Sequence, residues 1–138
     1  MAEALFRKAV EGRHDFEVAS AGVSAYPGSP ISPESASILR ARGIDCSEFR
    51  SQPVTDELLG SATHVFTMTG GHLGALLAEW PEHEDKCYLM CEFVDLPRVG
   101  VGADVPDPIG MGRRAYEEVA KTFDAAIPSL IAFIDQTS

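Results

Sequence analysis

Apolar positions recur at helical spacing in several stretches, and short β-branched runs lie between them. Ala4, Leu5 and Ala9 share one side of a helix over residues 2–11, with Glu3, Arg7, Lys8 and Glu11 elsewhere. Gly12 to Asp15 interrupt that pattern, and Phe16-Glu17-Val18-Ala19-Ser20 then alternates as a short strand before Gly22. Tyr26 to Pro30 reads as a Pro/Gly-rich loop. Ser32 caps the next helix, Pro33 takes its first position, and Ala36, Ile38 and Leu39 form its buried stripe. Arg40 and Arg42 suit the negative end of its dipole, and Gly43 stops it. Thr55 caps a short helix over 56–59 that Gly60 ends.

Thr63 to Met68 form a β-branched, apolar strand suited to burial. Thr69-Gly70-Gly71 then turns into a helix that runs to about Trp80. Pro81 to Lys86 is a charged loop before the strand Cys87-Tyr88-Leu89-Met90. Residues 95–106 read as a linker containing Gly100 and Gly102. A last helix begins near Arg113, with Tyr116, Val119, Ala120, Phe123, Ile127, Leu130, Ile131 and Ile134 at helical spacing. Pro128 inside it removes an amide donor and crowds the preceding turn, which predicts a kink or a split. Strands that alternate with helices across short Gly-containing turns predict an α/β fold with a parallel sheet.

Composition narrows the function classes. A length of 138 residues suits one domain, and 45% hydrophobic with 23% charged residues is a globular balance. Eleven basic and twenty-one acidic residues leave a net charge of −10, which argues against nucleic-acid partners and anionic membrane surfaces. No apolar run is long enough to span a bilayer, and the N-terminus lacks a signal-peptide layout. The three cysteines, Cys46, Cys87 and Cys91, suggest no disulfide framework and fit a reducing cytoplasm.

Chemistry concentrates in Asp104-Val105-Pro106-Asp107-Pro108-Ile109-Gly110. Two carboxylates stand three positions apart among prolines and a glycine, so the backbone that carries them is stiff. Proline after Asp107 biases that residue away from helical geometry and onto an outward loop. An acid held there can protonate a leaving group, although Asp-Pro-x-Gly is also ordinary turn chemistry. Thr69-Gly70-Gly71-His72 follows a strand and opens a helix, where an anion could rest, but it matches no nucleotide-loop spacing and reads first as a tight turn. In α/β sheets both stretches fall at the carboxyl ends of strands, where ligands bind.

The remaining candidates have plainer explanations. His72 reads as a helix-surface residue, and His14, His64 and His83 have no partner at metal-ligand spacing, so no metal or cofactor is expected. Cys87 and Cys91 are spaced as buried apolar residues rather than a redox pair, and Cys46 reads as structural. Trp80 reads as core, and the acidic run from Glu79 to Asp85 as a solvated loop.

The elements in order resemble the low-molecular-weight protein tyrosine phosphatase family. Met1-Ala2-Glu3-Ala4-Leu5-Phe6, Ser20-Ala21-Gly22, Gly43-Ile44-Asp45, Thr67-Met68-Thr69 and the 104–110 loop carry the likeness. Gln52-Pro53-Val54-Thr55-Asp56-Glu57-Leu58-Leu59 with Asp85-Lys86 is similar to the bacterial branch that includes protein-arginine phosphatases.

The resemblance implies a three-layer, flavodoxin-like parallel sheet with helices on both faces, and a phosphorylated protein or small phosphorylated ligand as partner. It implies Asp107 as general acid and position 109 as part of the substrate pocket, where Ile109 replaces the family's usual aromatic residue. The family's nucleophile lies in a Cys-x5-Arg loop ahead of the first helix. Arg50 follows Cys46 too soon for that spacing, and Arg98 follows Cys91 one residue too late. The expectation is therefore a single N-terminally truncated domain over 1–138 that lacks the first, interior strand and is inactive as it stands. Phosphotyrosine and phosphoarginine both stay open as substrates of a full-length form. The alternatives are a non-catalytic pseudophosphatase and, last, an arsenate reductase, which needs further redox cysteines than Thr69-Gly70-Gly71-His72 offers.

Overall fold

The computed structural model describes residues 1–22, 28–97 and 99–137, so residues 26 and 27 of the expected Tyr26–Pro30 loop lie outside the described residues. The chain divides into two compact units, Met1–Pro53 with Pro108–Asp124, and Val54–Asp107 with Ala125–Ser138.

In the first unit, α1 (Ala2–Ala9) buries Leu5, and α2 (Pro33–Ala41) buries Ala36, Ile38 and Leu39. Ser32 caps α2 through its side chain, which accepts a hydrogen bond from the Ser35 amide. Gly43, at φ +74°, turns the chain back so that the Ile44 amide donates to the Leu39 carbonyl at 2.9 Å. Ile38 packs with Tyr116 and Ala120 from the first half of α5 (Arg113–Thr137), and Met1 covers them. Arg42 reaches the Asp124 carboxylate with two bonds of 2.6 and 2.9 Å.

The strand expected over 16–20 does not form. A strand needs a neighbouring backbone, and this segment satisfies its polar groups on side chains instead. The Arg7 guanidinium donates to the Val18 carbonyl, Gln52 Nε2 donates to the Ser20 carbonyl at 2.9 Å, and the Ser20 hydroxyl donates to Glu3 at 2.8 Å. Phe16 leans on Phe6, with Arg13 over its ring. Sheet-like pairing here is one parallel bridge, Gly22 to Pro53.

The second unit holds β1 (Val65–Thr67) and β2 (Cys87–Leu89), paired in parallel from Val65↔Cys87 to Thr67↔Leu89. Both are shorter than the sequence pattern suggests. Thr55 and Thr69 cap α3 (Asp56–Ser61) and α4 (Gly70–Glu79), and α3 runs through Gly60 rather than stopping there. Leu59, Leu76 and Cys87 form a core that Trp80 packs against. Pro81–Lys86, expected as loop, winds into a 3-10 helix with Pro81 in its first turn.

The expected linker over 95–106 is in part a hairpin. β3 (Cys91–Leu96) and β4 (Gly100–Ala103) pair antiparallel, with Leu96 opposite Gly100 and Cys91 opposite Ala103. Gly100 and Gly102 both sit at φ +77°, so β4 needs residues that sequence reading takes for linker. Among the described residues the sheet is therefore not wholly parallel: it is one parallel pair and one antiparallel pair. α5 is not split. Pro128 is exposed, while Ala126, Ile127 and Leu130 around it are buried, so packing offsets the missing hydrogen bond.

Candidate active site

The 104–107 segment is fixed to the carboxyl end of β1 by its own backbone and by one side chain. The Val105 amide donates to the Met68 carbonyl at 2.7 Å, and the Gly70 amide donates to Asp104 Oδ1 at 2.9 Å. Val105 is itself buried, at 3% exposure, and works as an apolar anchor. Pro106 and Asp107 follow on the surface. Asp107 therefore stands exposed, two positions from a buried anchor, on a stretch that proline stiffens.

Beyond Asp107 the chain enters the first unit. Pro108 to Met111 form a turn closed by a 2.9 Å bond from the Met111 amide to the Pro108 carbonyl. Gly110 and Gly112 lie at φ +78° and +83°, which L side chains resist. Ile109 is 73% exposed and Met111 68%, so the turn presents two apolar side chains to solvent.

The Thr69-Gly70-Gly71 turn has a partner that sequence reading missed. Thr69 Oγ1 accepts from the His72 amide at 3.0 Å, and the first turn of α4 contains no acidic residue. The anion at this helix start is the Asp104 carboxylate, supplied from 34 positions away. The available signal was a helix start without its own acid and a spare aspartate in the loop after β4. His72 is on the surface of α4, as its spacing suggests.

The thiols are poor nucleophile candidates. Burial pushes the Cys87 thiol up from its ordinary value, and its Sγ meets the His83 carbonyl at 3.2 Å. Burial likewise pushes Cys91 up, and the nearby Asp104 charge adds to that. Cys46 is half-buried and borders a cavity of about 280 Å³ with Pro30, Ile31, Arg40, Asp45 and Arg50. No histidine among the described residues lines it. The Asp45 carboxyl is held below its usual range by hydrogen bonds from the Ser47 backbone and hydroxyl.

Two histidines have partners that their sequence spacing does not reveal. His64 bonds Thr63 and Thr137 at 2.9 and 2.8 Å and sits edge-on to Phe133, so it is structural. His83 Nε2 lies 3.0 Å from Asp56 and 3.9 Å from Glu82. The ligand atoms of these three lie within 4.8 Å of one another, so a trio able to hold a cation exists in space where sequence spacing suggested none. Both carboxylates are exposed, as they are in ordinary surface ion pairs.

The family model for the low molecular weight phosphotyrosine protein phosphatases matches residues 1–138. The protein-arginine-phosphatase of Geobacillus stearothermophilus is 33% identical over 114 residues, which is 83% of this chain and 74% of that protein. The solved YwlE arginine phosphatase from the same organism superposes with a TM-score of 0.87 at 30% identity, covering 99% of this chain and 84% of the other. A low molecular weight protein tyrosine phosphatase from T. tengcongensis gives 0.84 at 35% identity, covering 95% and 87%. No helix among the described residues is long and apolar enough to cross a membrane. An acid loop pinned at the end of a parallel strand, in an α/β chain matched along its whole length, leads to one assignment: the chain belongs to the low molecular weight phosphotyrosine protein phosphatase family.

Proposed function

We propose that residues 1–138 are one domain of a phosphatase that acts on a phosphotyrosine or phosphoarginine group, with Asp107 as general acid. The observation that carries this reading is the pinned, exposed Asp107 at the carboxyl end of β1 in a chain of this family. In the family's reaction a cysteine thiolate forms an S–P bond as the bond to the leaving group breaks. The Asp107 proton passes to the departing oxygen or nitrogen. Water then attacks phosphorus, the S–P bond breaks, and the water's proton returns to Asp107.

The thiol belongs to a Cys-x5-Arg loop in the family. Six positions after Cys46, Cys87 and Cys91 stand Gln52, Phe93 and Pro97, so the chain supplies the acid without the thiolate. A positioned acid contributes roughly 10²–10⁴-fold, whereas loss of a nucleophile costs on the order of 10⁶-fold. We therefore expect the chain alone to be inactive. The finer fold reading belongs to the same proposal. β1 has one strand partner among the described residues, which fits a flavodoxin-like sheet without its interior first strand.

Ile109 supports a substrate other than phosphotyrosine, since it forgoes about 0.5–1.5 kcal/mol of ring stacking. Likeness to arginine phosphatases supports the phosphoramidate on independent grounds. The second reading is a non-catalytic binding module of the same family, since residues 1–138 carry no thiol at Cys-x5-Arg spacing. One experiment separates the two. The chain alone, and the chain joined to the strand and Cys-x5-Arg loop of an arginine phosphatase, are assayed on phosphotyrosine and phosphoarginine peptides. The expected result is turnover by the joined chain alone, reduced about 10²–10⁴-fold by Asp107→Asn. A folded joined chain without turnover defeats the enzyme reading and leaves the binding module.

A further inference from the structure

We infer that Asp104 is the positioning residue of the acid loop: its carboxylate, locked onto the Gly70 amide at the start of α4, sets where Asp107 stands. As a statement about catalysis this rests on Asp107 being the general acid. As a statement about the loop it does not.

Three features converge on the residues just before Asp107. Asp104 Oδ1 accepts from the Gly70 amide at 2.9 Å, at the positive end of a helix that has no acid of its own in its first turn. The next residue, Val105, donates its amide to the Met68 carbonyl at 2.7 Å and buries its side chain. Proline then fixes one of the two remaining backbone rotations at position 106. Met68 and Gly70 flank Thr69, so both ties reach one short corner where β1 hands over to α4. A charged acceptor on a backbone amide is among the stronger neutral-donor contacts, and anchoring the chain at 104 and 105 leaves few backbone rotations by which Asp107 can move away.

Helix capping alone does not account for the arrangement. Thr69 Oγ1 already caps α4 on the His72 amide. Asp104 adds a bond to a different amide and does so from the loop that carries the acid. Asp104 is exposed, which places the strength of this bond at the low end of the charged range.

The test reads amide hydrogen exchange in the folded chain, which needs no activity. Asp104→Ala is expected to speed exchange at Gly70 and Val105 by roughly 10-fold. Asp104→Asn, which keeps an oxygen at the same place, restores most of the protection. Thr69→Ala, which removes only the neighbouring cap, leaves Val105 unchanged. Unchanged exchange at Val105 in Asp104→Ala, or an equal rise in Thr69→Ala, overturns the inference.

A second arm uses the same joined chain. There, in single-turnover mixing, Asp104→Ala is expected to slow formation of the S–P bond about 10-fold on phenyl phosphate with substrate binding unchanged, and to spare that first step on p-nitrophenyl phosphate, whose leaving group needs little protonation. Equal losses on both substrates would mark a general structural defect and overturn the positioning role. A joined chain that turns over neither substrate counts against Asp107 as the acid, and the exchange data then decide the role of Asp104 in the loop.

Discussion

Burial sorts the three thiols of the chain. Cys91 is fully enclosed and Cys87 nearly so, and both are pushed toward the neutral thiol, whereas Cys46 is half-buried beside a cavity. Native protein treated with an aromatic disulfide reagent is expected to release one equivalent quickly, from Cys46, with the other two slower by roughly 100-fold until urea is added. Two fast equivalents would contradict this ordering. The exposed loop position of Asp107 is legible in the sequence because its cues are local, a proline on each side and a glycine nearby. The partner of Asp104 is not, because a bond across 34 positions leaves no periodic trace. The pairing of His83 with Asp56 across 27 positions escapes for the same reason.

At the scale of elements, helices and the parallel strands β1 and β2 announce themselves, while the other strand signals mislead. Ser32, Thr55 and Gly43 each satisfy a helix end within a few residues, so sequence locates α2 and α3 closely. A strand is completed by a neighbour elsewhere in the chain. Phe16–Ser20 has the alternation without the neighbour, and Gly100–Ala103 has the neighbour without the alternation.

Pro128 tests how far packing overrides local preference. It is exposed inside a helix that continues for nine residues beyond it, and its ring leaves the carbonyl of Asp124 without the usual donor. Pro128→Ala restores that donor and should raise stability by about 1–3 kcal/mol, measured as a higher urea midpoint. A fall in the midpoint would mean that the proline ring is itself part of the packing.

For the whole molecule, charge is the dominant bias. Twenty-one acidic residues face eleven basic ones, and the ion pairs present are mostly between exposed side chains of little net worth. Raising salt from about 0.01 to about 0.1 M shortens the screening length from about 30 to about 10 Å and should raise the melting temperature by a few degrees. A melting temperature that falls over this range would show that specific pairs outweigh the surplus. At this scale the family is legible because several short matches occur in the right order over the chain, each weak alone. The antiparallel hairpin is not legible, because nothing in the order of elements requires it.

The single tryptophan gives this architecture an optical consequence. Trp80 packs against Leu59, Leu76 and Cys87, all within Val54–Asp107, while Met1–Pro53 and Pro108–Asp124 contain no indole. Emission excited at the red edge of protein absorbance thus arises within the unit that carries Asp107. The molecule carries its own reporter, placed in the unit that holds the 104–107 segment.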